Sequence, residues 1–295
     1  MNDDETSDGD TREGGLHPPR KRIRLRRIRT LAVLPTLFTL GNLVCGFFAI
    51  VVAARVGTPD LTALDPADAT NCMIAGWLIF LAMVFDALDG HVARLARTSS
   101  DFGAELDSLC DLVTFGVAPA FLLVKLCPAF TSDHREAVWV IAATFAVCAA
   151  LRLARFNVET SEDDDHSGFS GLPSPAAAAV VASFAIMFNK LRDPGNALAY
   201  ADEIFWVLQN VLPFFALLVA LLMVSRIRYP HLVNQLFRGQ RSFNHIVAVV
   251  FALVVVMLVR GYSLPIVFSA FALSGPARYV WNLVAHRGRK EEPLF

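Results

Sequence analysis

The stretch DALDGHVARLARTSSDFGAELDSLCD, Asp86–Asp111, joins two apolar runs at about 71–92 and 104–126. Each run is long enough to enter a bilayer as a helix. Hydrocarbon is a costly place for a carboxylate, so Asp86, Asp89, Asp107 and Asp111 need a function or a partner there. Asp86 and Asp89 are three apart near the end of one run; Asp107 and Asp111 are four apart near the start of the next. Steps of three and four return to one face of an α-helix. The link is short, so the helices are antiparallel neighbours and the two carboxylate pairs can meet.

The same apolar pattern extends outward from this stretch. The chain has 295 residues, 55% hydrophobic, with a mean hydropathy of +0.50, above the usual range for a soluble domain. Spans are expected at about 33–54, 71–92, 104–126, 136–156, 173–190, 204–224, 244–260 and 263–282. The fold class is therefore an all-α polytopic membrane bundle of about eight helices. Residues 1–19 are acidic and broken by Gly and Pro, the composition of a disordered segment. The basic segment 20–32 places seven Lys and Arg between Arg20 and Arg29, which suits the surface of an anionic leaflet. Nucleic acid is a poor partner for a basic arm that runs into an apolar span. The cysteines are scattered without a C-x-x-C pair, and read as small buried apolar residues.

Lys and Arg concentrate at alternate ends of the spans, at 20–29, Arg94 and Arg97, Arg152 and Arg155, Arg226 to Arg241, and Arg287 to Lys290. The positive-inside rule puts these ends and both termini in the cytoplasm. There is no internal repeat to support an inverted-repeat transporter.

Four carboxylates lacking enough nearby base must protonate or hold cations in a low dielectric. Their oxygens are hard ligands for Mg²⁺, Mn²⁺ or Ca²⁺. Two pairs on facing helices suit a two-metal site, a device of phosphoryl chemistry. Gly90 and Gly103 let a ligand approach the backbone, or let helices pack closely. Arg94 offers a forked donor for phosphate oxygens, or is a positive-inside residue. Asn42, polar within the first span, is either a site residue or an interhelical hydrogen-bonding group.

Written as a pattern, the stretch is D-x2-D-G-x2-A-R-x8-G-x3-D-x3-D, filled by Asp86, Asp89, Gly90, Ala93, Arg94, Gly103, Asp107 and Asp111. It resembles the signature of the CDP-alcohol phosphatidyltransferases at all eight fixed positions. The segments LPTLFTLGNLVCGFFAI (34–50), DSLCDLVTFGVAPA (107–120), LRLARFNV (151–158), GFSGLPSPAAAA (168–179) and LMVSRIRYP (222–230) resemble the integral-membrane phosphatidylserine synthases of bacteria. The resemblance implies a catalytic core at 33–230, a C-terminal membrane extension at 231–285 and a tail at 286–295. It implies transfer of a phosphatidyl group from CDP-diacylglycerol to L-serine with release of CMP, at a cytoplasm-facing site in the inner membrane. Asp86, Asp89, Asp107 and Asp111 would hold two divalent cations, Mg²⁺ or Mn²⁺, and Asp111 would be the general base. Asp89, Gly90, Ala93, Arg94 and Gly103 would line the CDP-lipid site. Dimerisation is common in the family, so a homodimer is expected.

The serine carboxylate needs a cation. Arg152 and Arg155 are three apart at a cytoplasmic helix end; with Asn157, Ser170 and Ser174 they are the candidate acceptor pocket, or they anchor the helix to lipid phosphates. The acidic run 159–168, with His166, reads as a solvated loop. Two rivals remain: the same reaction with glycerol phosphate, inositol phosphate, choline or a sugar alcohol, and an ion transporter. The transporter predicts acids near mid-membrane on broken helices, whereas these cluster toward one face beside a glycine-arginine set.

Overall fold

The computed structural model describes residues 24–57, 64–96, 101–161, 171–195, 198, 200–227, 229 and 261–286. Every regular element among them is helical: α1 (Arg24–Ala54), α2 (Pro66–Ala96), α3 (Asp101–Asp111), a π-helical turn (Leu112–Val117), α4 (Ala118–Leu126), α5 (Pro128–Ser161), α6 (Ser174–Leu191), α7 (Ala201–Val224) and α8 (Ser263–His286). Six helical stretches among the described residues are long and apolar enough to cross a membrane: Thr36–Ala54, Pro66–Gly90, Phe102–Leu126, His134–Val158, Ser174–Leu191 and Ala201–Val224. They match the first six expected spans and make this an integral membrane protein. The expected seventh span, 244–260, lies outside the described residues, as do 1–23 and 287–295. The eighth coincides with α8, which is not among the six.

The apolar residues divide as a bilayer requires. On α2, Ile74, Trp77, Leu81, Val84 and Leu88 are exposed at alternating steps of three and four; on α7, Ile204, Val207, Val211, Phe214, Leu218 and Leu221 repeat the pattern. Such a stripe faces hydrocarbon, since lipid tails are as apolar as a protein core. The most enclosed span is α6, with 72% of its residues buried against 28–56% in the others. Its run of small side chains, including Ala177, Ala178, Ala182 and Ala185, is fully buried, because alanine lets neighbouring helices approach closely. Helices α2, α7 and α8 pack on it, while α1 lies along α2 and α5 along α7.

Two backbone features shape the end of the bundle where the aspartates lie. The third span is widened at Leu112–Val117, directly after Asp111; the Ala118 N–H donates to Val113 O, five residues back. The wide turn precedes Pro119, which has no N–H and would crowd the carbonyl of a regular preceding turn. The chain entering α6 is stitched to the end of α7: Gly171 N–H donates to Ile227 O (2.9 Å) and Leu172 N–H to Leu222 O (3.0 Å). Gly171 has φ +89°, a conformation only glycine adopts at low cost, and a side chain there would strike Met223 O.

The π turn docks on α1 through Gly46, where a Cβ would lie 2.8 Å from Thr114 Cα. Backbone cannot yield as a flexible side chain does. Gly46→Ala is therefore expected to lose about 1–3 kcal/mol of stability, read as a lower thermal midpoint in detergent. Gly57→Ala is the control: its nearest atom would be Asp68 Oδ2 at 4.0 Å, and its midpoint should stay at the wild-type value.

Candidate active site

Alternate antiparallel spans bring the end of α2, the start of α3, the end of α5, the start of α6 and the end of α7 to one end of the bundle. Asp86 and Asp89 come from α2, and Asp107 from α3. One oxygen from each of these three carboxylates lies within 4.8 Å of the others. Unit charges that close repel by about 3.5 kcal/mol per pair at an effective dielectric of about 20, so the cluster needs positive charge to stay ionised. Asp89 Oδ2 and Asp107 Oδ1 are buried with no hydrogen-bond partner among the described residues. Orphaned, converging carboxylate oxygens are the donor set of a hard divalent ion, so the residues fit the metal that the spacing implied.

Asp111 stands apart from that trio. Its Oδ1 accepts a hydrogen bond from Asn42 Nδ2 at 2.9 Å, though it remains in electrostatic contact with Asp86, Asp107 and Asp89. Asn42 is completely buried. Its own carbonyl oxygen in the backbone accepts from Thr114 Oγ1 (3.2 Å), so the interhelical bond expected of Asn42 reaches one of the signature aspartates.

Gly90 answers a question of chemistry. Among the described residues a Cβ there would meet no atom within 4 Å, so this glycine borders open space and makes no packing contact with them. Gly103 lies half-buried in the first turn of α3. Ala93 and Arg94 belong to α2 by backbone, with side chains outside the described set.

The five residues expected around the acceptor part company. Arg152 Nη1 donates to Ser174 Oγ at 2.8 Å, which joins the ends of α5 and α6. Arg152 also lies within electrostatic reach of Asp111 and Asp86, and its Nε is buried without a hydrogen-bond partner among the described residues. Arg155 instead donates to Val224 O at 3.1 Å, capping the last turn of α7. Asn157 is bonded to Ser108, with Nδ2 to Oγ at 3.0 Å and Ser108 Oγ to Asn157 Oδ1 at 3.2 Å. Ser170 and His166 lie outside the described residues.

Sequence reasoning missed Thr39, whose hydroxyl bonds the Asp89 carboxylate, as well as Ser108 and Thr114. A signal for Thr39 existed: Thr39, Asn42 and Gly46 form a polar and small stripe at helical spacing inside an apolar run. If the three clustered carboxylates hold the ion, Asp86→Asn should weaken Mg²⁺ or Mn²⁺ binding by about tenfold or more, measured by calorimetric titration of purified protein. Asp65→Asn, outside the cluster, should not.

The sequence model of the CDP-alcohol phosphatidyltransferase family matches residues 32–222. A Methanocaldococcus jannaschii protein named CDP-diacylglycerol–serine O-phosphatidyltransferase is 39% identical over 160 residues, covering 54% of this chain and 65% of the relative. A Helicobacter pylori protein of the same name is 34% identical over 205 residues, 69% of this chain and 74% of the relative. A Methanothermobacter thermautotrophicus protein named archaetidylserine synthase is 31% identical over 207 residues, 70% of this chain and 72% of the relative. The matched family region contains every signature aspartate and ends just before the close of α7, so this chain belongs to the CDP-alcohol phosphatidyltransferase family.

Proposed function

We propose that this protein transfers the phosphatidyl group of CDP-diacylglycerol to the hydroxyl of L-serine, giving phosphatidylserine and CMP. The observation that carries the reading is the placement of Arg152, bonded to Ser174, within reach of the aspartate cluster. A guanidinium there can hold the serine carboxylate while the serine hydroxyl faces the carboxylates. The names of the relatives in archaea and bacteria support serine as the acceptor.

Asp86, Asp89, Asp107 and Asp111 are the proposed holders of two divalent cations, Mg²⁺ or Mn²⁺. Such ions, when bound, supply positive charge against the pyrophosphate oxygens. Asp89, Gly90, Ala93, Arg94 and Gly103 are the proposed CDP-lipid contacts, and the open space beside Gly90 supports that role. Asp111 accepts the proton of the serine hydroxyl as its oxygen bonds to the lipid-side phosphorus. The bond from that phosphorus to the bridging oxygen breaks, and CMP leaves with the electron pair. Asp is a weak base for an alcohol, so positioning and charge carry more of the rate than matched pKa values. Arg152 and Ser174 are the acceptor contacts best supported; Arg155 and Asn157 would act by holding the ends of α7 and α3 around them.

The charge asymmetry supports an inner-membrane location with this end and both termini in the cytoplasm. The core is assigned to 33–230, with 231–285 as a membrane extension. A homodimer is carried into the proposal on the family resemblance alone.

CMP release from purified protein should require L-serine and Mg²⁺ or Mn²⁺, and chelator should stop it. Turnover with inositol phosphate or glycerol phosphate and none with serine would overturn the acceptor. Asp111→Asn should lower turnover by about 10²–10⁴-fold while CDP-diacylglycerol still binds. A reporter fused after Phe295 should be cytoplasmic; a reporter on the other side would make the number of spans odd and remove one of the last two expected helices.

A further inference from the structure

We infer that Thr39 and Asn42 of α1 are positioning residues that divide the four aspartates by task, Thr39 holding Asp89 for the metal ion and Asn42 holding Asp111 for proton transfer. The inference rests on the proposed roles of those two aspartates. Helix α1 contributes no acidic residue to the site. Yet two of its side chains, three apart and so on one face, each bond a different member of the quartet. Thr39 is 6% exposed and Asn42 fully buried. Thr39 bonds Asp89 of α2, and Asn42 bonds Asp111 Oδ1 of α3 at 2.9 Å. Both are set by the same docking: Thr114 Oγ1 donates to Asn42 O, and Gly46 admits Thr114 one turn further on.

The two bonds have different consequences. A carboxylate turns about its last side-chain torsion through a broad range unless something restrains it. The Thr39 bond leaves Asp89 Oδ2 buried and unpartnered, and Asp89 keeps an oxygen within 4.8 Å of Asp86 and Asp107. The donor therefore orients a ligand, as outer partners of metal-bound carboxylates do. The Asn42 bond takes one oxygen of Asp111, the one signature aspartate outside the 4.8 Å trio. That leaves the other oxygen to accept a proton in a fixed direction; any share of Asp111 in a second cation is secondary, and the Mn²⁺ constant read below is that of the trio. Asn42 suits this task because an amide donates without carrying a charge that would bind the carboxylate as an ion pair.

The test uses two substitutions of nearly unchanged volume in the full-length protein, Thr39→Val and Asn42→Leu. Each is read by Mn²⁺ titration with electron paramagnetic resonance and by kcat for CMP release at saturating metal. Thr39→Val should raise the Mn²⁺ dissociation constant about tenfold and leave kcat within about threefold, because a ligand has lost its orienting partner. Asn42→Leu should do the reverse, with kcat down about 10–100-fold and the Mn²⁺ constant within about twofold, because the base has lost its orientation. Loss of both readouts in both variants would make α1 a packing helix and overturn the inference, as would loss of neither. Thr114→Val supplies a second test that touches no aspartate: it should lower kcat and spare Mn²⁺ binding, and the opposite pattern would overturn the role of Asn42. Asp111→Asn in the same assay separates the two levels. If it abolishes turnover and Asn42→Leu does not lower it, only the role of Asn42 falls. If it turns over normally, the base reading falls and the role of Asn42 with it.

Discussion

Mutual repulsion of carboxylates in an apolar bundle is the constraint to which the rest of the structure answers. Asp86, Asp89 and Asp107 bring oxygens within 4.8 Å of one another, and Asp111 is in electrostatic contact with all three. Hydrocarbon offers no water to screen such a group, so positive charge must come from an ion or from the protein. The described protein groups supply part of it: Arg152 lies within reach of Asp111 and Asp86. Among the described residues one guanidinium faces four carboxylates, a deficit that a hard divalent ion would reduce.

Assembling the cluster requires close helix contacts, and those come from small residues. Gly46 lets the π turn of the third span meet α1 backbone to backbone. The buried alanines of α6 let α2 and α7 close around it. The π turn itself falls between Asp111 and Pro119, so the proline that interrupts regular hydrogen bonding sits next to the fourth aspartate. Wide turns of this kind are frequent at functional sites, because they shift the helix face by a fraction of a turn. Here the shift lets Thr114 reach the Asn42 carbonyl while Asp111 reaches the Asn42 side chain.

The acceptor end is built from helix termini. Arg152 ties the end of α5 to the start of α6, Arg155 caps α7, and Gly171 with Leu172 laces the entry of α6 to the exit of α7. Cations at a helix C-terminus meet the negative end of its dipole and its unpaired carbonyls. Arg155 is thereby committed to structure, and Arg152 is the one of the pair left facing the carboxylates.

The amino-acid sequence determined the all-helical membrane class, the first six spans and the meeting of Asp86 and Asp89 with Asp107. Each follows from a local rule: apolar runs near the bilayer thickness, and helical steps of three and four that put both members of a pair on one face. Tertiary structure alone decided how those groups are shared out. It separated Asp111 from the other three, turned Arg155 to Val224 while leaving Arg152 near Asp86, and resolved Gly90 as a border of open space. It also brought Thr39 to Asp89 and Asn42 to Asp111, partners 50 and 69 positions apart along the chain. Spacing along one helix sets which side chains share its face. Which face of a neighbouring helix they meet depends on crossing and depth, and those are set by where Gly46, the α6 alanines and the π turn allow backbones to close.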